Sequence, residues 1–314
     1  MKKVYLQGRY LTSINYYKQL INDNLKLNWT LVEDPNDCDY FLSFDSVSIR
    51  SKKSDAKYFL IRSEPIIILP WCYSKKNCAQ FDLIIDVGKP KRLGLNVVPQ
   101  PQNISILNRN QSCKENRLVI INSNLLSFRS GELYSLRRAA IFNLDFIDLY
   151  GHGWNISLPS KIKNASIEFY RVIKYPTRLN LRGIKLYFRN IKWYGGAIEN
   201  KFEVLSNYKY TLVIENTKGY LSEKLFDALV SGCIPIYVGE DLSLFNIPEG
   251  LVIQSKANID SVLHSYELAK KLDYEQWRRK CLDWLENANT IDEWSYSSFI
   301  PNIKDCIEKM DFRF

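Results

Sequence analysis

Residues 208–239 read YKYTLVIENTKGYLSEKLFDALVSGCIPIYVG, and the order of residue types in this stretch decides the fold. Tyr210 to Ile214 is an apolar strand pattern that ends on the polar pair Glu215-Asn216. A glycine-containing turn follows. Ser222 then stands where an N-cap hydroxyl would receive a backbone N–H of the first helical turn, just before Glu223-Lys224. The next segment places Leu225, Phe226, Ala228 and Leu229 on one helical face, and Gly232 sits where a glycine past the last turn would stop the helix. Cys233 to Val238 is a continuous apolar run of the kind a strand buried on both faces needs. The unit is strand, loop, helix, strand, with its charges gathered where strand hands over to helix. In open α/β sheets that edge is where ligands bind. A lysine and a carboxylate there, beside helix N-terminal N–H groups, suit the phosphates and ribose hydroxyls of a nucleotide.

This segment resembles the nucleotide-sugar motif of the α1,3/4-fucosyltransferases (glycosyltransferase family 10). That motif runs as an aromatic-rich strand, Glu-Asn-Ser/Thr, Tyr-x-Thr-Glu-Lys, a helix and Pro-x-x-x-Gly. Here it reads Glu215-Asn216-Thr217, then Tyr220-Leu221-Ser222-Glu223-Lys224, then Pro235 to Gly239. Ser222 replaces the usual threonine and keeps the capping hydroxyl, and the loop between Thr217 and Tyr220 is short compared with many members. The resemblance implies an α/β protein of GT-B type, with two Rossmann-like domains facing each other across a cleft. It implies an inverting transfer of fucose from GDP-fucose to a hydroxyl of an oligosaccharide or glycolipid acceptor, of α1,3 type, in cell-surface glycan or lipopolysaccharide synthesis. Glu215, Asn216, Tyr220, Glu223 and Lys224 would then bind the donor, with Lys224 on the diphosphate and Glu223 on the ribose.

Two further positions match the family. Leu118–Ile141 resembles the segment that opens the donor domain and supplies a phosphate-binding arginine, which by register is Arg137, with Arg138 beside it. A sugar that departs as a nucleoside diphosphate leaves negative charge on the β-phosphate in the transition state. A fixed guanidinium and an ammonium stabilise that charge, so no cofactor and no obligatory metal are expected. Without the match, both arginines would read as solvent-facing helix charges. Glu64, in KYFLIRSEPIII, lies past the carboxyl end of an expected strand, where Pro65 forces an extended or turn backbone. The family places its general base in such a loop, and an attacking hydroxyl needs one. A lone loop glutamate would otherwise be a solvated carboxylate, and Glu215 is the next candidate for the base.

Other constellations carry less. Asp37-Cys38-Asp39 looks like an Asp-x-Asp metal motif but follows Pro35-Asn36, so a polar turn explains it better. His152 and His264 are the only histidines and too far apart for a ligand set. Cys72 and Cys78 lack the second pair or histidines of a zinc site. Trp71, Trp193 and Tyr194 are candidate sugar-stacking platforms in a chain whose aromatics otherwise read as core.

The pattern divides the chain into an N-terminal acceptor-binding α/β domain (1–105), a C-terminal donor-binding Rossmann-like domain (113–290), and a segment (291–314) that is a candidate for packing back on the first domain. The N-terminal third alternates strands at Lys3–Leu6, Trp29–Val32, Asp39–Phe44, Lys57–Ile61 and Leu83–Val87 with a helix at Ile14–Leu25. Residues 89–117 read as the linker, with Pro90, Pro99 and Pro101. Leu118 opens a new sheet, followed by a helix near Glu132–Asn143 and a strand at Asp145–Tyr150. Residues 157–207 are polar and resist placement, apart from a short helix at Asn200–Leu205.

The 314 residues carry a formal net charge of +9 and seven cysteines. No nucleic-acid recognition motif accompanies the basic surplus, which instead suits a pyrophosphate site and a face attracted to anionic lipid. MKKVYLQGRYLTSINYY has no apolar core for a signal peptide or anchor, and the odd, scattered cysteines fit a reducing compartment. The expected location is cytoplasmic, peripheral to the inner face of the membrane. Two alternatives stand beside the fucosyltransferase reading. One is a GT-B enzyme using another nucleotide sugar, since SEKLFDALVSGCIPIYVG also echoes exostosin-like enzymes. The other is a sugar-binding protein that has lost catalysis, which would predict replacement of Glu64, Arg137 or Lys224; all three are present.

Overall fold

A computed structural model of the chain describes residues 1–90, 96–102, 114–191 and 193–311. It gathers the apolar runs into two sheets. The first holds β1 (Lys2–Gly8), β2 (Trp29–Leu31), β3 (Tyr40–Phe44), β4 (Lys57–Arg62), β5 (Leu83–Val87) and β6 (Val97–Val98), in the order β2-β1-β3-β4-β5-β6. The second holds β7 (Glu115–Ile121), β8 (Ile147–Tyr150), β9 (Tyr208–Ile214), β10 (Ile234–Val238) and β11 (Ile253–Gln254), in the order β11-β10-β9-β7-β8. Every pairing between these strands is parallel. Parallel strands covered on both faces need no polar alternation, which is why β3 and β10 are buried along their whole length.

By compactness the chain divides into Met1–Gln102 with Asp292–Phe314, and Asn103–Ile291. The expected linker falls partly on residues 91–95 and 103–113, which lie outside the described residues. Its far end is structured: β7 begins at Glu115, three residues earlier than the expected start at Leu118. Lys114 is buried there and donates from Nζ to the carbonyls of Ser206 (2.7 Å) and Ser231 (2.8 Å).

In the first unit the sheet carries α1 (Leu11–Asn22), the single turn α2 (Lys75–Cys78) and α11 (Tyr296–Asp311). The helix expected over Ile14–Leu25 starts and ends three residues earlier, and its inward stripe is Ile14 and Ile21. Phe299, Ile300, Ile303 and Ile307 of α11 enter the same core as Val4, Leu42, Phe59 and Ile85.

The second unit carries α3 (Tyr134–Asn143), α4 (Leu158–Lys174), α5 (Ile184–Phe188), α6 (Lys201–Leu205), α7 (Glu223–Val230), α8 (Ile259–Ala269) and α9 (Tyr274–Leu285); α10 (Ala288–Trp294) leads out of it. The polar stretch that resisted placement contains a 17-residue helix, α4, opened by Ser157 as its cap with proline in its first turn. Its exposed face is partly apolar, which blurs the single stripe a core-facing helix shows. No helix among the described residues is long and apolar enough to cross a membrane.

Helix α7 is the element the opening sequence describes. Leu225, Phe226, Leu229 and Val230 are all buried, worth roughly 1.5–3 kcal/mol for each side chain. It ends because Gly232 takes φ +71, a left-handed conformation that costs glycine little. A Cβ at Gly232 would also lie 2.1 Å from Nη1 of Arg278.

Candidate functional site

The second sheet changes direction of growth at β7, since β8 lies on one side of that strand and β9 on the other. The carboxyl ends of β7 and β9 thus flank the topological switch point, where the loops after two neighbouring strands diverge and leave room for a ligand. The two loops are stapled at their base. Thr217 donates from Oγ1 to the carbonyl of Gly131 (2.8 Å), and the Leu133 N–H donates to the carbonyl of Asn216 (3.0 Å). From α3, Arg137 donates to the Ile214 carbonyl through Nε (3.1 Å) and Nη2 (2.5 Å), and through Nη2 to Oδ1 of Asn216 (2.9 Å). Helix α3 itself begins at Tyr134 rather than near Glu132. The Glu132 carboxylate caps it, accepting from the Ser135 N–H (2.8 Å) and hydroxyl and from Nδ2 of Asn180 (2.9 Å).

Glu215 directly follows β9 and is fully buried. Its two carboxylate oxygens accept from the N–H (2.9 Å) and the hydroxyl (2.7 Å) of Ser222. Burial pushes its carboxyl above the usual range, with the ammonium of Lys224 and the Ser222 donors pulling it back. Ser222 in turn accepts from the Lys224 N–H, so strand end, loop and helix start are locked through one serine. Beyond that lock the side chains open outward. Lys224 is 23% and Glu223 45% exposed, with Nζ 3.4 Å from Oε1 and 3.1 Å from the Ser222 hydroxyl oxygen. Against the desolvation of its position, Lys224 and Lys201 hold the Glu223 carboxyl below the ordinary range. One turn further, Asp227 pairs with Nζ of Lys201 at 2.6 Å, and burial raises its carboxyl to about 6 despite that partner.

All six motif residues therefore gather at one edge of one unit, but not in the same capacity. Glu223 and Lys224 reach the surface. Glu215, Asn216, Tyr220 and Arg137 are buried, with at most 8% exposure. Glu215, expected among the donor-binding residues and as the second candidate for a base, is fully buried, and each of its oxygens accepts from Ser222. Neither Arg137 nor Arg138 is a solvent-facing helix charge. Arg138 is 1% exposed, donates from Nη1 to the Leu125 carbonyl (2.5 Å), and burial lowers its pKa to about 10. The sequence reading missed Lys201 and Asp227. Their pairing crosses from α6 to α7, although the 223/227 carboxylate spacing could have flagged one face of α7. It also missed Glu132, two residues ahead of α3, whose bonds to Ser135 and Asn180 no local pattern signals.

Glu64 belongs to the first unit, in the turn after β4. The hydroxyl of Tyr73 donates to its carbonyl (2.9 Å), and the Tyr73 ring lies 4.1 Å from the Arg62 guanidinium, which is bidentate with Asp86 (2.8 Å twice). The preceding Ser63 donates its N–H (2.8 Å) and hydroxyl to Asp45, a buried residue at φ +55 after β3. Burial pushes the Asp45 carboxyl up. Asp37 closes a turn begun by Asp34, and Asp39 accepts from the Lys3 N–H (2.8 Å), so the Asp-x-Asp triplet has a structural use. Among the described residues no group of three or more His, Cys, Asp and Glu is disposed to hold a metal ion. Trp71 lies under the Arg9 guanidinium at 5.0 Å. His152, His264 and Trp193 are exposed, and Tyr194 donates its hydroxyl to the Gly151 carbonyl.

No family model matches the chain. Over 99 residues it is 36% identical to an α-(1,4)-fucosyltransferase of Arabidopsis thaliana, covering 28% of this chain and 23% of that one. Over 47 residues it is 51% identical to the α-(1,3)-fucosyltransferase FucT of Helicobacter pylori, covering 14% of this chain and 10% of the relative. The matched stretches thus span less than a quarter of either relative's length. A crystal structure of an α1,3-fucosyltransferase with GDP superposes with a TM-score of 0.53 at 16% identity, over 98% of this chain and 90% of that one. The fold is that of the GT-B glycosyltransferases, and the resemblance to the α1,3/4-fucosyltransferases holds in sequence and in fold.

Proposed function

We propose that this chain is an inverting glycosyltransferase that moves fucose from GDP-fucose to a hydroxyl of an oligosaccharide or glycolipid acceptor. The observation that carries the reading is the N-terminus of α7 at the switch point, where Lys224 and Glu223 stand above a buried, Ser222-locked scaffold. A diphosphate there meets the ammonium of Lys224 and the partial positive charge of the helix end. Arg137 adds positive charge from beneath while fixing Asn216. Glu223, kept ionised by its lysines, is suited to accept from ribose hydroxyls. As the sugar–phosphate bond breaks, these cations take up the charge of the departing nucleoside diphosphate, and no metal enters the scheme. Glu64 is the proposed base that removes the acceptor hydroxyl's proton as that oxygen attacks the anomeric carbon. Sequence similarity to an α-(1,4)- and an α-(1,3)-fucosyltransferase favours fucose over other sugars.

The test is a thermal-shift panel of nucleotides and nucleotide sugars, because a ligand that binds only the folded state raises Tm according to its concentration relative to Kd. GDP and GDP-fucose are expected to raise Tm, UDP-sugars much less, and EDTA to leave the shift unchanged. In Lys224→Ala the GDP shift should shrink, since a charge-assisted contact of about 1.5–3 kcal/mol is gone. A preference for a UDP-sugar would replace the donor in this reading, and an undiminished shift in Lys224→Ala would displace the phosphate from α7.

A further inference from the structure

The stretch 158–193 is where the chain keeps its net charge. Nine Lys or Arg residues stand there against Glu168 alone, while the whole protein carries a formal +9. Helix α4 occupies the first half, and its orientation is fixed by its inner face. Ala165 and Val172 pack with Phe128 and Tyr187. Buried Lys161 donates to the carbonyls of Phe188 (3.5 Å) and Arg189 (3.4 Å), and Arg129 donates to those of Arg171 (3.2 Å) and Tyr175 (2.7 Å) at the end of the helix.

So anchored, α4 turns a second apolar stripe away from the core. Leu158, Ile162, Phe169 and Ile173 recur at intervals of four, seven and four, which keeps them in line on one side of a helix. With Tyr170 beside them they are 52–64% exposed. Lys163 and Lys174 flank the stripe, both exposed. The one carboxylate of α4 is withdrawn from it: Glu168 is 6% exposed, pairs with Arg171, and burial raises its carboxyl above the usual range.

We propose that α4 lies in the plane of an anionic membrane surface and docks the protein there. Water is a poor partner for four large apolar side chains in register with a tyrosine beside them. A second copy of the chain would bring an equal excess of positive charge to the same face. A bilayer carrying anionic headgroups answers both features: the apolar side chains enter the boundary between headgroups and acyl chains, and the flanking lysines reach the phosphates. The inference does not depend on the transferase reading, because none of these residues belongs to the site at the switch point.

The full chain is to be sedimented with sucrose-loaded vesicles of phosphatidylcholine alone and of phosphatidylcholine mixed with phosphatidylglycerol. Binding to the anionic vesicles should exceed binding to neutral ones by about tenfold or more and fall as salt is added. Two variants separate the contributions: Ile162→Ser with Phe169→Ser and Ile173→Ser, and Lys163→Glu with Lys174→Glu. Each should lower partition by about tenfold or more, with Tm held near that of the unsubstituted chain because every substituted side chain is exposed. Equal binding to both vesicle types, or undiminished partition in the two variants, would overturn the proposal. So would vesicle-independent dimerisation in analytical ultracentrifugation that the stripe variant abolishes.

Discussion

Glu223 and Lys224 owe their outward position to a neighbour that has none. Glu215 accepts both donors of Ser222 from a fully buried site, so the helix starts where the strand end dictates. Around this lock the charges are unequal in a way pH can read. Asp227, raised to about 6 by burial, keeps a proton in the folded state that an unfolded aspartate near 3.8 releases. Stability from this group is therefore present below about 3.8 and lost as pH rises toward 6. The gap between those two values is worth at most ~3 kcal/mol. Relative to Asp227→Asn, the wild-type chain is expected to gain stability as pH falls from about 7 to about 4.5 in urea unfolding. A gain in the opposite direction would mean that the Lys201 pair outweighs desolvation. For Glu64 the expectation concerns rate. Glu64→Gln keeps size and hydrogen bonding but cannot take a proton, so transfer should fall by roughly 10²–10⁴. GDP binding in that variant should hold, which separates a base from a donor ligand; near-normal turnover removes Glu64 from the mechanism.

At the scale of elements, the strand–loop–helix of β9 and α7 concentrates its risk in Ser222. Alanine there removes an N-cap, worth about 1 kcal/mol. It also strips one donor from a buried carboxylate, at a further ~1–3 kcal/mol. Threonine keeps the hydroxyl. Ser222→Ala is expected to lose about 2–4 kcal/mol in chemical unfolding, while Ser222→Thr stays near wild type. Equal losses in both would point to the site being too tight for a methyl group and not to the hydroxyl. This element was readable in advance: a polar cap, an apolar face and a glycine stop follow from local backbone chemistry. Helix α4 was not readable. Its apolar residues cover both an inward and an outward stripe, and the period of such a pattern does not say which side meets the core.

At the scale of the whole molecule, the chain closes its first unit with its own last helix. Ile303 of α11 is fully buried among Val4, Leu42, Ile61 and Ile85, some 200 or more residues away in sequence. Ile303→Ala should destabilise that unit by about 2–5 kcal/mol. The rise in Tm with GDP should survive in the variant, since the second unit holds the residues proposed for the nucleotide. If GDP no longer stabilises the variant at all, the two units do not fold as separately as their cores suggest.

What the sequence by itself determined is the local order: two α/β runs of strands, the capped helix after β9, and the motif that likens the chain to the fucosyltransferases. These are legible because burial on both faces, capping and turn chemistry act between residues close in the chain. Only the tertiary structure decided which charges are spent on scaffolding. Arg137 and Glu215 carry no sign of a scaffolding partner in sequence, yet Arg137 is bound to a strand carbonyl 77 residues away and Glu215 to a serine across the loop. The pairing of Lys201 with Asp227 and the withdrawal of Glu168 from the face of α4 were decided in the same way. A charged side chain's environment is set by desolvation and by partners brought together through packing, and neither is written in its own neighbourhood of the chain.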